Sequence, residues 1–481
     1  SQQGYVSRYD YVTGNNYTVK PTHPDPEVEL RFNWNSAINI DPFDNNTLYF
    51  GSQFVHKSTD KGLTWEVISP DLTTNDPAKQ KQEESGGLTI DATGAENYTT
   101  ILVIEPSPVE KGMIWVGTDD GKVHYTTDGG GSWNDVSGNL PGLPEGSWIV
   151  QIKASNKNKG EALLVANDYR RYNYAPYAYR TTNYGKSWTR IVDENDTESY
   201  ALSIVEDPEE KNLMFLGTDD GLYVSFNAGK DWQKYTNGFP TVSVKDLVIH
   251  PREQDLVVGT FGRAAWVLDD IRPFRAIARD RALLQKKVEL FEPPTAYHTA
   301  YQQPTGSRFG ADATYHGENR PSGARITYFV EVPKKAEKKT EEDTETEKED
   351  KDKRSRKGRK KDREGESGDL ELTEKDQDSA KSEVAEIKWD SIKLNIYDGD
   401  RLIRTLKEKA PDTTGVHTMI WRLREKGVER PSREIKESKS EPSGIDVKPG
   451  TYRLVLHFGD QTSEETIKVE SDPRLDVSQE N

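Results

Sequence analysis

The sequence predicts an all-β chain: a partial β-propeller followed by a β-sandwich that carries a long charged insert. Three observations predict it. A short Asp/Asn-Gly-Trp turn motif recurs four times in the first half of the chain. Strand-like alternation of apolar and polar residues dominates the last third. Between two of those alternating runs lies a stretch of 51 residues, 334–384, with 16 Lys/Arg, 18 Asp/Glu and no aromatic residue.

The repeat sets the propeller. Its four copies are Ser58-Thr-Asp60-Lys-Gly62-Leu-Thr64-Trp65, Thr126-Thr-Asp128-Gly-Gly130-Gly-Ser132-Trp133, Thr181-Thr-Asn183-Tyr-Gly185-Lys-Ser187-Trp188 and Ser225-Phe-Asn227-Ala-Gly229-Lys-Asp231-Trp232. The tryptophans stand 68, 55 and 44 residues apart. Upstream, Trp115-Val-Gly-Thr-Asp-Asp-Gly121 and Phe215-Leu-Gly-Thr-Asp-Asp-Gly221 form a second echo, each after a strand that closes on an acidic residue and Pro. Four short strands per unit, repeated radially, are the signature of a propeller, and unequal spacing places insertions in particular blades. The motif is a structural device. Its carboxylate or amide accepts backbone N–H bonds across the turn, Gly takes a positive φ, and Trp anchors the turn on apolar surface. Two copies carry Asn, which cannot serve as a general acid.

The sandwich is predicted by alternation in 326–332, 391–397 and 402–406, the last two joined by Asp398-Gly-Asp400. The insert at 334–384 should be disordered, since it lacks the apolar surface to offset chain entropy. It reads as an overgrown hairpin loop within one domain. Expected boundaries are propeller blades over 1–275 (an incomplete ring with a partial first blade), a connecting segment over 276–325, the sandwich over 326–475 and a tail over 476–481.

Composition narrows the function classes. The 481 residues carry a net charge of −17 and no cysteine. That excludes disulfides, thiol catalysis and Cys-ligated metals, and argues against nucleic acid as a partner. No apolar run is long enough to span a membrane as a helix. The eight His show no metal-ligand spacing, and no hydrolase or nucleotide motif occurs in context, so no metal and no cofactor is expected.

The octapeptide is the Asp-box, and the chain resembles large secreted bacterial Asp-box (BNR-repeat) propeller proteins, often labelled glycosyl hydrolase or sortilin-like. The resemblance rests on Arg31-Phe-Asn-Trp-Asn35, Ile68-Ser-Pro-Asp-Leu72, Gly259-Thr-Phe-Gly-Arg263, Trp266-Val-Leu-Asp-Asp270 and Pro321-Ser-Gly-Ala-Arg-Ile-Thr-Tyr328. The strands from Leu394, His417 and Val447 resemble an Ig-like module of the flagellar hook-cap type. The resemblance implies a C-terminal fragment, with Tyr5–Lys20 as the outer hairpin of a blade whose inner strands lie elsewhere. Five blades with open edges are an aggregation liability, so an N-terminal half of the same precursor or another chain is expected to close the ring. It further implies a secreted, periplasmic or outer-membrane location, with an outer-membrane protein complex as a possible partner.

Two groups are candidates for ligand contact. Asp168-Tyr-Arg-Arg-Tyr-Asn-Tyr-Ala-Pro-Tyr-Ala-Tyr179 is dense in planar side chains suited to sugars or peptides; Tyr169, Arg170, Arg171, Tyr172 and Tyr174 are its candidates. The alternative is that Tyr177 and Tyr179 simply begin a strand. Arg31, Asn33, Trp34 and Asn35 are expected on an inner blade strand, where polar groups face either a ligand or one another. No catalytic residue can be chosen: the sialidase F/Y-R-I-P string is absent, Phe274-Arg-Ala276 is its nearest echo, and a turn explains Asp269-Asp270 equally well. The expected function is non-catalytic binding or assembly, recognising a glycan, peptide or outer-membrane partner through the propeller face. The alternative is a glycoside hydrolase whose site is shared with a missing half.

Overall fold

A computed structural model describes residues 4–81, 97–299, 320–333, 389–429, 431 and 441–475. The predicted insert at 334–384 and the tail at 476–481 lie outside the described residues. The chain forms two compact units, 1–285 and 286–481.

The first unit contains five antiparallel sheets that follow one another in sequence. Four have four strands each: the first sheet (Ile38–Asp41, Asp44–Gly51, Val55–Ser58, Glu66–Val67), the second (Ile101–Pro106, Ile114–Thr118, Val123–Thr126, Asn134–Asp135), the third (Trp148–Ala154, Ala162–Asp168, Asn173–Thr181, Thr189–Val192) and the fourth (Ala201–Glu206, Met214–Thr218, Gly221–Ser225, Gln233–Tyr235). The fifth has three strands, Val244–Ile249, Leu256–Thr260 and Ala265–Leu268, and a helix, Arg272–Arg279, follows it. Strand order within each sheet follows chain order, and the first strands of successive sheets are neighbours. That is a partial β-propeller, with each first strand innermost. A separate hairpin, Ser7–Tyr9 with Asn16–Thr18, precedes the first sheet.

Apolar residues between neighbouring sheets make the core. Tyr49 and Val55 of the first sheet meet Ile101, Ile104, Ile114 and Val116 of the second. Met113 and Trp115 of the second meet Ile152, Leu164 and Tyr179 of the third. The second strands of the second, third and fourth sheets are buried on both faces, which explains the near-continuous apolar runs such as Met214–Leu216.

The turn motif closes the third strand of each of the first four sheets. Asp60 accepts from the Ser58 and Thr64 hydroxyls (2.8 and 2.7 Å) and from the Thr64 N–H (2.9 Å), while the Gly62 N–H donates to Ser58 Oγ (2.7 Å). Asn183 makes the same turn, its Nδ2 donating to Ser187 Oγ. In the fourth copy the roles exchange, and Asn227 Nδ2 donates to Asp231 Oδ2 at 2.6 Å. Glycine is needed twice over: Gly130 has φ 106°, and a Cβ there would lie 2.6 Å from the Ile68 carbonyl oxygen of the preceding sheet. Trp133 and Trp232 reach the preceding sheet too, donating to the carbonyls of Ile68 and Ile191.

The second unit is a sandwich of two sheets around one core. One sheet orders Ala296–His298, Gln461–Ser471, Gly450–Phe458, Ser391–Asp398 and Arg401–Lys409; the other orders Val288–Leu290, Ala324–Val330 and Gly415–Trp421. Ile326, Met419 and Trp421 of the smaller sheet pack with Leu394, Leu454 and Phe458 of the larger. Two expectations change here. Strands 324–330 and 391–398 do not pair; they lie in opposite sheets, so the charged run joins two sheets and is not a hairpin loop. Residues 288–290 and 296–298, expected in a connecting segment, hydrogen-bond to Ala324–Val330 and Gln461–Ser471 and belong to the sandwich.

Candidate functional site

Both candidate groups lie at the same end of the propeller strands, where the inner strands begin and the second strands end. Trp148 opens the inner strand of the third sheet. Tyr98 and Tyr200 precede the inner strands of the second and fourth. The single turn Tyr169–Arg171, following directly on the second strand of the third sheet, drops between them. The Arg170 guanidinium lies 3.4 Å from the centre of the Trp148 ring and 4.5 Å from that of Tyr169. Tyr169 stacks on Tyr200 at 4.6 Å, Tyr174 stands 6.2 Å from Tyr200, and Tyr98 stacks on Trp148 at 6.2 Å. Lys79 sits over Tyr98. The result is one strip of five rings and two cations across three sheets.

Polar contacts fix the strip. Arg171 Nε donates to Asp168 at 2.6 Å and its Nη2 to the Glu145 carbonyl at 2.7 Å. Tyr172 takes φ 60° and its N–H returns to the Tyr169 carbonyl, which leaves its ring the most exposed of the group; Tyr174 is exposed as well. Tyr177 and Tyr179 are buried in the third strand leading to the turn motif. Burial and the neighbouring Asp219 carboxylate push the Tyr200 hydroxyl well above the usual phenol range. Burial pulls Lys245, near Asp219 and Arg170, down.

The Arg31 group occupies the adjoining end of the first two sheets. It is not on a strand: residues 31–35 are coil and turn, and the inner strand begins at Ile38. Their main-chain N–H groups are taken by side chains instead, Arg31 by Gln53, Phe32 by Asn97 and Asn35 by Asn33. The Arg31 side chain is spent on Asp71 (2.8 Å), Thr73 and the Thr99 carbonyl. Asn33 is buried and donates to Asp119 at 3.0 Å. Trp34 is partly exposed beside it.

Asp119 joins the two groups, and sequence reasoning missed it. It belongs to the recurring Asp-Asp-Gly turn, which was legible only as a turn. Its oxygens also accept from the Thr100 N–H (2.8 Å) and hydroxyl (2.6 Å). Burial, then the charge of Asp120, pushes its carboxyl up to about 7 against those hydrogen bonds. Asp120 itself is held by Thr118 and Thr74. A carboxyl poised near neutrality suits proton transfer, but this one is enclosed and its acceptor sites are filled.

At the opposite ends of the strands is a cavity of about 270 Å³. Its principal cation, Arg180, is already bound by Glu161 (2.8 Å) and Glu206. Burial raises the Glu105 carboxyl that lines it. Asp270, just after the last strand of the fifth sheet, is tied to Arg272 (2.6 Å), and its N–H donates to Asp255 Oδ1 (2.8 Å). Among the described residues no group of His, Asp and Glu is arranged to hold a metal, and no helix is long and apolar enough to cross a membrane.

Comparison with known proteins agrees with the repeat. The family model for sortilin (neurotensin receptor 3) matches residues 177–271, from the third sheet's third strand through the fifth sheet. A protein of Neosartorya fischeri named as a probable oligoxyloglucan-reducing end-specific xyloglucanase is 25% identical over 250 residues, covering 43% of this chain and 27% of that protein. The chain thus spans about a quarter of the curated relative's length. Among solved structures, a xyloglucanase from Xanthomonas campestris is 17% identical over 48% of this chain and 36% of its own, with a TM-score of 0.36. The YCF48 protein from Cyanidioschyzon merolae is 17% identical over 50% and 66%, with a TM-score of 0.31. The five repeated sheets, four of them closed by the same turn, make the first unit a partial β-propeller, and the sortilin-model match lies within it.

Proposed function

We propose that the first unit is a carbohydrate-binding propeller of an exported protein, with the ligand lying along the strip from Trp148 to Tyr174. The observation that carries this reading is the stacking of Trp148, Arg170, Tyr169 and Tyr174 of the third sheet with Tyr200 of the fourth, with Tyr174 and the neighbouring Tyr172 exposed. Rigid rings offer stacking area at low entropic cost, and Arg171 with Asp168 supplies polar groups for hydroxyls. The test is affinity electrophoresis and calorimetry of the chain against xyloglucan and other soluble β-glucans. Binding should weaken roughly tenfold in a Tyr172→Ala/Tyr174→Ala variant, about 1.4 kcal/mol. Equal retention of both proteins would sink the reading.

A second reading, glycoside hydrolysis, is favoured by one observation, the Asp119 carboxyl raised to about 7 beside the strip. It requires a second carboxyl group within about 5–10 Å across a bound sugar. Release of reducing ends from xyloglucan, abolished in Asp119→Asn, would put this reading ahead of simple binding.

A further inference from the structure

The interface between neighbouring sheets recurs, and one position reports on it. Ile104, Ile152 and Ile204 each sit on the inner strand, paired with Val116, Leu164 and Leu216, and face the preceding sheet. Their exposures are 3%, 1% and 0%. The matching residue of the first sheet is Ile38, paired with Phe50 just before Gly51 as Ile104 is paired with Val116 just before Gly117. Ile38 is 53% exposed, and Ile40, on the same face, 52%.

The outer half of the space in front of the first sheet is nevertheless filled. The hairpin Ser7–Tyr9/Asn16–Thr18 lies there, with Val19 under Gly62 and accepting from Trp65 Nε1. Ile68, just after the fourth strand of the first sheet, and Ile191, in the fourth strand of the third, play the same part for Trp133 and Trp232. The hairpin therefore stands as third and fourth strands of a sheet. Asn16–Thr18 pairs with one edge of Ser7–Tyr9; among the described residues the other edge of that strand is unpaired.

We propose that this slot binds a partner in the form of two antiparallel strands, the inner half of a propeller sheet. One strand would add to the free edge of Ser7–Tyr9, and apolar side chains from both would cover Ile38 and Ile40. This is strand addition, with main-chain hydrogen bonds giving affinity and alternate side chains giving register. The fourth sheet illustrates the fit, since its Phe215 and Val205 cover Leu247 of the fifth. A whole sheet from a second copy of the chain does not fit, because the hairpin already occupies the outer half.

The chain supplies its own probe: a synthetic peptide of residues 201–218, which contains two such inner strands, Ala201–Glu206 and Met214–Thr218. Amide hydrogen exchange is measured on the full chain with and without saturating peptide. Exchange at Ser7–Tyr9 and at 38–41 should slow by about tenfold or more, while Arg401–Lys409 is unchanged. Ile38→Asp, at an exposed position, should remove the slowing; Ile445→Asp, exposed in the second unit, should not. Unchanged exchange at Ser7–Tyr9 under saturating peptide overturns the proposal. So does a chain that dimerises by itself with the same amides protected, which would assign the face to a second copy.

Discussion

The indole Nε1 of Trp65 donates to the main-chain carbonyl of Val19 at 2.7 Å, tying the first turn motif to a hairpin 46 residues earlier. Trp133 and Trp232 make the same bond to the preceding sheet at 2.9 Å. Trp188 does not: the Val136 carbonyl it would use already accepts from the Asn139 N–H, in the short turn after the second sheet, and its own Nε1 is buried without an acceptor. Trp→Phe substitution removes similar ring volume at each site, so the difference isolates the hydrogen bond. Trp65→Phe, Trp133→Phe and Trp232→Phe should each cost about 1 kcal/mol more than Trp188→Phe in urea unfolding. Four equal losses would show that the bond contributes nothing.

Acid should weaken the first two turn motifs and spare the third, which contains no carboxylate. The Thr64 hydroxyl and N–H hold Asp60 down to about 2, and the Thr126 and Ser132 hydroxyls do the same for Asp128. A carboxyl whose folded value is depressed stabilises above its unfolded value near 3.8, and that contribution is lost as pH falls towards 2. Asn183 does not titrate. Asp60→Asn/Asp128→Asn should therefore flatten the fall in thermal midpoint between about pH 4 and 2. Asp60→Ala, which cannot accept from Thr64, should lower the midpoint already at pH 7. A double Asn variant with the wild-type acid profile would refute the assignment.

The propeller was legible because its information is local and repeated: each motif contains its own Asp or Asn, its hydroxyls and its Gly, so eight residues specify the turn. The site was legible only in part. Tyr169, Arg170 and Tyr174 stood out as a run, yet their stacking partners Trp148, Tyr98 and Tyr200 come from three different sheets. Asp119 owes its raised carboxyl to burial and then to the Asp120 charge, opposed by hydrogen bonds from Asn33 and Thr100, 86 and 19 residues away, and a spacing pattern encodes neither the burial nor those distant partners. Arg31–Asn35 was misread as a strand because side chains, not a neighbouring strand, satisfy its main chain. Strands 288–290 and 296–298 are three residues each, too short to show alternation.

Asp119 should make the protein less stable as pH rises through neutrality. Its folded value is raised to about 7 from 3.8, so the protonated form is favoured in the folded chain. That contribution is complete below about pH 4 and is lost as pH rises through 7. Asp119→Asn keeps a neutral group and should remove this slope, although its amide must compete with that of Asn33. The check is the thermal midpoint of both proteins between pH 5 and 8 at constant ionic strength. Parallel profiles would place the carboxylate in its ionised form throughout.

The helix Arg272–Arg279 is held to the fourth sheet by a charge pair with almost no access to water. The Arg275 and Asp207 side chains are 3% and 0% exposed. Arg275 Nε donates to both Asp207 oxygens at 2.9 and 2.8 Å, while Nη2, 2.8 Å from Oδ2, lies off the hydrogen-bonding direction. Asp207 also accepts the N–H groups of Glu209 and Glu210. Nη1 adds Gln254 and Glu209. Removing the cation alone leaves a buried carboxylate with two main-chain donors, so Arg275→Met should cost roughly 3–5 kcal/mol. Arg275→Met/Asp207→Asn should recover part of that loss, since Asn keeps an acceptor for the Glu210 N–H without a charge. Urea unfolding of the three proteins separates the outcomes: a double variant no more stable than Arg275→Met would mean that the guanidinium acts by packing against the sheet rather than by neutralising Asp207.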